Sequence, residues 1–327
     1  MKNLPILTTW AFLLLIGAWQ GARVWSQDTD TTNDKKTPSV TEAAPEQPSD
    51  QGLERAQKVL HEAREALFQR ESIQAHVTQT IALGDYRFRS EGDFISASGF
   101  RFKLEYHMEL GQLRGTFLEV CDGQMLHTQR TIQEVPTDPS SKPPAPETEV
   151  SRRDIQRILK ETRRHLDQPE ALQAAELGIG GLPAILASLE RTMVFDRVEE
   201  EMVSGQAVQT IQGKWNPTRR QELLGGLGNM ANNMAAFMPD LVRVAFDAKT
   251  HFPLRIQYLK LTDEAQQTYQ PIMTLAFSDI HFNVPVSFNT FTYLPPQGLE
   301  EHDETTHFIQ MIQSAAETSS TPESQTP

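Results

Sequence analysis

Residues 100–108 read Phe-Arg-Phe-Lys-Leu-Glu-Tyr-His-Met. Phe100, Phe102, Leu104, Tyr106 and Met108 alternate with Arg101, Lys103, Glu105 and His107. Successive side chains of a strand point to opposite faces, so the stretch reads as a long, half-buried strand with one apolar and one charged face. A helix would scatter the same residues around its circumference. The same alternation recurs in Ile73, Ala75, Val77, Ile81 and Leu83, and again through Tyr86–Ile95.

Working outward, Ser98-Gly99 supplies a turn before this strand. Thr116–Val120 and Met125–Ile132 flank Cys121-Asp122-Gly123, and Asp-Gly between two apolar runs signals a hairpin. Further strands are expected at Met193–Val203, Gln206–Trp215, Leu241–Asp247, Leu254–Leu261 and Pro271–Phe282. A last edge strand, Phe288–Tyr293, is expected to end at Pro295-Pro296. Leu53, Ala56, Leu60, Ala63 and Leu67 step by three and four, the mark of an amphipathic helix. Helices are also predicted over Val150–Leu166, Leu182–Arg191 and Thr305–Ala316. The fold class is mainly β (α+β). A sheet of about ten strands curls, giving a strongly curved antiparallel half-barrel with helices covering the open side.

The ends have another character. Residues 1–26 carry Lys2, an apolar core from Trp10 to Trp19 and Val24-Trp25-Ser26, the pattern of a cleaved export signal. An uncleaved membrane anchor is the alternative. Residues 27–51 are too polar to fold and read as a disordered linker. The half-barrel is expected over 52–304, with a helical insert at about 136–192 and a flexible insert at about 216–240. A short helix and disordered tail fill 305–327. The 327 residues carry a formal charge of −13. That argues against electrostatic nucleic-acid binding and against general adhesion to anionic membranes. Cys121 is the only cysteine, so no internal disulfide forms. It is either a reactive thiol or a small apolar residue at a strand end.

Chemistry-bearing patterns are sparse. Phe100, Phe102, Leu104, Tyr106 and Met108, joined by Val77, Ile81, Phe94, Leu275 and Phe277, could line an acyl-chain pocket. Ordinary sheet–helix core leaves the same pattern, and periodicity does not separate the two. Gly225-Gly226-Leu-Gly228 precedes Met230, Met234, Phe237 and Met238, whose spacing places the methionines on one helical face. Such a stripe suits an adaptable lid, or a gap-filling core helix. Gly178-Ile-Gly180-Gly181 could cradle phosphate, but follows no clear strand and reads more simply as the start of a helix. His302 and His307 among Glu300, Glu301, Asp303 and Glu304 form either a loose cation site or a solvated acidic tail. No metal-ligand spacing and no nucleophile elbow are present, so neither cofactor nor enzyme activity is expected.

The order of elements resembles a known family. The first amphipathic helix leads into Ile73–Leu83, the Gly92-containing strand, Phe100–Met108 and the Val120-Cys121-Asp122-Gly123 turn. Arg243–Tyr258 is similar to that family's D-x-x-T-x-x-P-x-x-I hairpin, and Leu275–Asn283 and Phe291-Thr-Tyr-Leu-Pro-Pro-Gln-Gly298 to its terminal strands. The family is the periplasmic lipoprotein carriers (LolA-like). The resemblance implies an open half-barrel under helical lids, located in the periplasm or otherwise outside the cytoplasm. It implies a lipid, acyl chain or lipoprotein as partner, with an envelope protein as a further one. The function expected is therefore non-enzymatic binding of an acyl chain, lipid or lipoprotein in an apolar concave sheet. The alternative is a structural or sensory interaction module with a filled core.

Overall fold

Period-two burial is what the chain builds on. The structure, a computed structural model, describes residues 40–41, 50–83, 86–110, 113–136, 142–226, 238–263, 265 and 267–320. Its strands are β1 (Val40–Thr41), β2 (Ser72–Leu83), β3 (Tyr86–Ala97), β4 (Arg101–Leu110), β5 (Leu113–Asp122), β6 (Met125–Glu134) and β7 (Glu147–Asp154). They continue with β8 (Met193–Val203), β9 (Gln206–Trp215), β10 (Leu241–Asp247), β11 (Pro253–Asp263), β12 (Thr268–Phe282) and β13 (His302–Asp303). All join one curved, unclosed sheet in the order β13-β7-β6-β5-β4-β3-β2-β12-β11-β10-β9-β8, with β1 beside β12. Pairing is antiparallel except between β13 and β7.

Two features mark the middle of the sheet, beside further register shifts between β8 and β9, β10 and β11, and β11 and β12. In β12 the register slips between Ser278 and His281, and Asp279 takes a left-handed φ of 49°. Such a bulge adds local twist. In β3, a Cβ on Gly92 would lie 1.7 Å from the Glu105 carbonyl oxygen of β4. Only a residue without a side chain lets the two backbones come this close.

The helices are α1 (Asp50–Gln69), α2 (Ile155–Thr162), α3 (Pro169–Ile179), α4 (Gly181–Thr192), α5 (Pro217–Gly226) and α6 (Thr305–Ser320). Ala56, Val59, Leu60 and Ala63 bury one face of α1, which packs on β8 and α4. Asp154 caps α2 by accepting from the Arg157 amide at 2.9 Å. Glu119, buried on β5, accepts a hydrogen bond from the Gly181 amide at the start of α4. Burial nevertheless dominates and raises the Glu119 pKa, the Gly181 amide and the nearby arginines only partly offsetting it.

Four expectations are corrected. Val150–Leu166 is not one helix, because residues 147–154 form β7 and the helix begins at Ile155. Phe288–Tyr293 is not a strand. Phe288–Phe291 is a 3-10 turn against the outer face of β4 and β5, where Phe291 is buried and Tyr293 stacks on His127. Phe100 lies in the β3–β4 turn with φ 61° rather than within the strand. The acidic stretch at 300–304 is not a solvated tail. Arg153 of β7, itself buried, donates to Glu304 at 2.8 Å, and Glu301 lies 3.0 Å from His127. Among the described residues no group of three or more His, Cys, Asp or Glu is placed to hold a metal. The helix after it, α6, buries Phe308, Ile312 and Ala316 in the main core.

The D-x-x-T motif has a plain physical basis. Asp247 closes the β10–β11 hairpin by accepting from the Lys249 and Thr250 amides and from Gln206. Burial alone would raise its pKa, but the hydrogen bonds from Gln206, Thr250 and Lys249 outweigh it and hold the carboxyl below the ordinary value. A carboxyl with a depressed folded pKa gives stability that is present above its unfolded pKa and is lost as pH falls through the folded one. Asp247→Ala is expected to cost about 2 kcal/mol at neutral pH, and the gap from the parent in urea melts should narrow on acidification.

Candidate functional site

The concave face of the sheet meets α2, α3 and α4 around an apolar cleft of about 450 Å³, open to solvent on one side. Its floor is Ile73 of β2, Phe94 and Ser96 of β3 and Phe102 of β4. Leu159 and Thr162 of α2, Leu172, Ala175 and Ile179 of α3, and Pro183 of α4 form the roof. The mouth lies between the C-terminal end of α1, with Leu67 and Phe68, and the turn from Ser98 to Arg101. Strand alternation puts Phe94 and Phe102 on the concave face. The left-handed turn residue Phe100 folds back so that its ring meets Phe68 edge-on at 5.8 Å.

The α3–α4 junction is fitted to this floor. Gly180 and Gly181 have φ of 81° and 69°, and a Cβ on Gly180 would come within 2.7 Å of Leu126 and 3.2 Å of the Phe102 ring. The glycines of the 178–181 stretch thus seat two helices on an aromatic ring. They do not follow a strand, and the phosphate-cradle alternative has no support in this arrangement.

One carboxylate reaches the cleft wall. Glu176 of α3 is bound by Arg64 of α1, whose guanidinium also binds Glu190 of α4. Burial pushes the Glu176 carboxyl above its ordinary value, and the attraction of Arg64 only partly offsets this. Its Oε2 is buried with no hydrogen-bond partner among the described residues. At the mouth, Arg70 lies 4.4 Å over the Phe282 ring and Arg101 lies 5.7 Å from both Phe288 and Phe291.

The residues singled out in the sequence separate into three groups. Phe94, Phe100 and Phe102 line the cleft. Val77, Ile81, Leu104, Tyr106, Leu275 and Phe277 are buried in the contiguous core, and Met108 is partly buried with its methyl against Gly115. None of these seven is among the cleft-lining residues. Met230, Met234 and Phe237 lie outside the described residues, and Met238 is buried beside Lys260 of β11, away from the cleft. Cys121 is wholly buried and burial pushes its thiol up to about 12, as suits a small apolar residue rather than a nucleophile. Sequence reasoning missed Phe68 and the roof of α3. The available signal was Leu67-Phe68 itself, two adjacent apolar residues that one helical stripe does not accommodate.

No protein-family model matches the chain, and no curated protein matches it. Similar solved structures include a MucA/MucB complex from Pseudomonas aeruginosa, at 13% identity and a TM-score of 0.36, covering 73% of this chain and 61% of that one. Another is LprF from Mycobacterium bovis, at 11% identity and a TM-score of 0.33, covering 74% and 97%. A third is an outer membrane lipoprotein-sorting protein domain from Vibrio parahaemolyticus, at 11% identity and a TM-score of 0.23, covering 72% and 97%. At such scores these likenesses carry no weight for what the cleft holds. The mainly β, open half-barrel under helices, implied by the resemblance to the lipoprotein carriers, is the architecture that the sheet order itself displays.

Proposed function

We propose that the chain is an exported, non-enzymatic binding protein that shelters an acyl chain, free or as part of a lipid or lipoprotein, between its sheet and its helical cover. The observation that carries this reading is the cleft. Its volume of about 450 Å³ falls in the range of roughly 300–1,000 Å³ typical of ligand sites. Its floor and roof are almost wholly aliphatic and aromatic. A chain entering it gains about 0.8 kcal/mol per buried methylene, less the cost of ordering.

A second reading rests on the filled part of the same face. Val77, Ile81, Leu104, Tyr106, Leu275 and Phe277 are all buried against neighbouring side chains. A half-barrel whose concave side is largely solid also suits a structural or sensory module that meets an envelope protein.

Lipid co-purifying with the exported chain, identified by mass spectrometry, separates the two. The decisive variant is Phe100→Asp. Aspartate tolerates the left-handed φ of 61° better than phenylalanine, so the turn should survive while a carboxylate is placed at the cleft mouth. Fatty-acid uptake is expected to fall at least about tenfold. Stability should change by about 1 kcal/mol, a melting shift of about 2–4 °C. Absence of lipid together with unchanged uptake in Phe100→Asp would count for the filled-core module.

A further inference from the structure

Scattered exposed apolar side chains are normal on a protein surface, but here the exposed aromatics are grouped. Of the described phenylalanines only Phe68, at 43%, and Phe288, at 62%, are strongly exposed. They come from opposite ends of the chain and both adjoin the turn that ends in Phe100 and Arg101, Phe68 from the cleft side and Phe288 from the outer side. Phe68 lines the cleft mouth against Phe100, while Phe288 lies beside Arg101, which also lines the mouth. Two arginines line the mouth, Arg70 and Arg101, each held near an aromatic ring. Among the described residues the one carboxylate lining the cleft, Glu176, is engaged by Arg64. The opening of the apolar cleft is thus bordered by two exposed aromatic rings and two arginines, with the exposed Glu71 and Asp122 beside them.

We infer that this rim docks on a phospholipid bilayer, so that an acyl chain passes between membrane and cleft without crossing water. Aromatic rings are favoured at the boundary between headgroups and acyl chains. The guanidinium groups suit the phosphate layer just above it, where arginine makes paired hydrogen bonds. The inference builds on the acyl-chain reading of the cleft and adds the surface from which the chain is taken.

The test uses Phe288, which does not line the cleft. The exported chain is mixed with phosphatidylethanolamine vesicles doped with phosphatidylglycerol and carrying a pyrene-labelled phospholipid. Transfer to the protein should quicken with vesicle concentration, as collision requires. Phe288→Ser should slow it about fivefold, the loss of one interfacial aromatic, and leave uptake of free cis-parinaric acid within about twofold. The Phe288→Trp variant should show a blue shift of the added tryptophan emission on vesicle addition. Transfer independent of vesicle concentration, or an unmoved Phe288→Trp spectrum, would overturn docking even if parinaric acid binds. So would a Phe288→Ser protein that loses only a crosslink to an envelope protein. Vesicle docking that Phe288→Ser abolishes, with no parinaric uptake by the parent, would uphold the rim and sink the acyl-chain reading instead.

Discussion

Valine at Gly92 is expected to leave no cooperatively folded protein. Gly92 sits mid-strand in β3, opposite Val77 of β2 and Tyr106 of β4. A Cβ there would lie 1.7 Å from the Glu105 carbonyl oxygen and 2.7 Å from its carbon. Both are backbone atoms in a paired strand and cannot rotate aside. Relief requires β3 and β4 to part, in the two strands that also carry Phe94 and Phe102 of the cleft floor. Overpacking a core with mobile neighbours costs about 1–3 kcal/mol, and a rigid backbone clash costs more. The total stability of a domain is about 5–15 kcal/mol, so a large share is lost, and far-UV circular dichroism in urea would read it. Gly92→Ala meets the same oxygen and should also fail badly. Gly99→Ala is the control, because open space surrounds Gly99 and only its φ of 80° is strained. It should cost about 1–2 kcal/mol. If Gly92→Val melted within about 1 kcal/mol of the parent, the two strands would have to separate without cost.

The strands were legible where apolar side chains do the burying. Phe102, Leu104 and Tyr106 face one way and are buried, so period two is written directly in the sequence. In β7 the same geometry is hidden. Residues 147–154 read Glu-Thr-Glu-Val-Ser-Arg-Arg-Asp, and Arg153 is buried by pairing with Glu304 and stacking on Phe308, not by being apolar. An ion pair between residues 151 positions apart leaves no local period. The segment over the outer face was misread for the opposite reason. Phe291 is apolar and buried, but against the back of β4 and β5, and its neighbours alternate only by coincidence.

The cleft was half legible. Phe94 and Phe102 were marked by alternation, yet alternation marked Val77 and Leu104 equally, and those pack solidly. Periodicity reports which face leaves water. It does not report whether protein atoms or empty space stand opposite, because that depends on where α3 comes to rest. Its resting place is set by Gly180 and Gly181 against Phe102 and by Arg64 across the helices, contacts between residues far apart in the chain.

Arg64→Ala tests that last contact, and its cost should depend on pH. Arg64 joins α1 to Glu176 of α3 and Glu190 of α4 with only 13% of its side chain exposed. Removing one partner of a buried pair costs about 3–5 kcal/mol, since the charge left behind is uncompensated. Glu190 is the more exposed of the two acids and can rehydrate. Glu176 cannot do so as readily, and its second oxygen already lacks a partner among the described residues. Burial has raised the Glu176 pKa even with Arg64 in place, and loss of the cation should raise it further. A carboxyl whose folded pKa stands above its unfolded value binds its proton more tightly when folded. Its contribution is complete below the unfolded pKa and falls away as pH rises through the folded one. Arg64→Ala should therefore be least stable at neutral and alkaline pH and recover part of its loss toward about pH 5, where urea melts of the parent should change less. Adding Glu176→Gln removes the orphaned charge and should restore about half of the loss at neutral pH, flattening the pH dependence. A deficit that is equal at both pH values and untouched by Glu176→Gln would place the role of Arg64 in the packing of its aliphatic stem. In that case α3 would be held over the cleft by apolar contact, and the cover would owe nothing to charge.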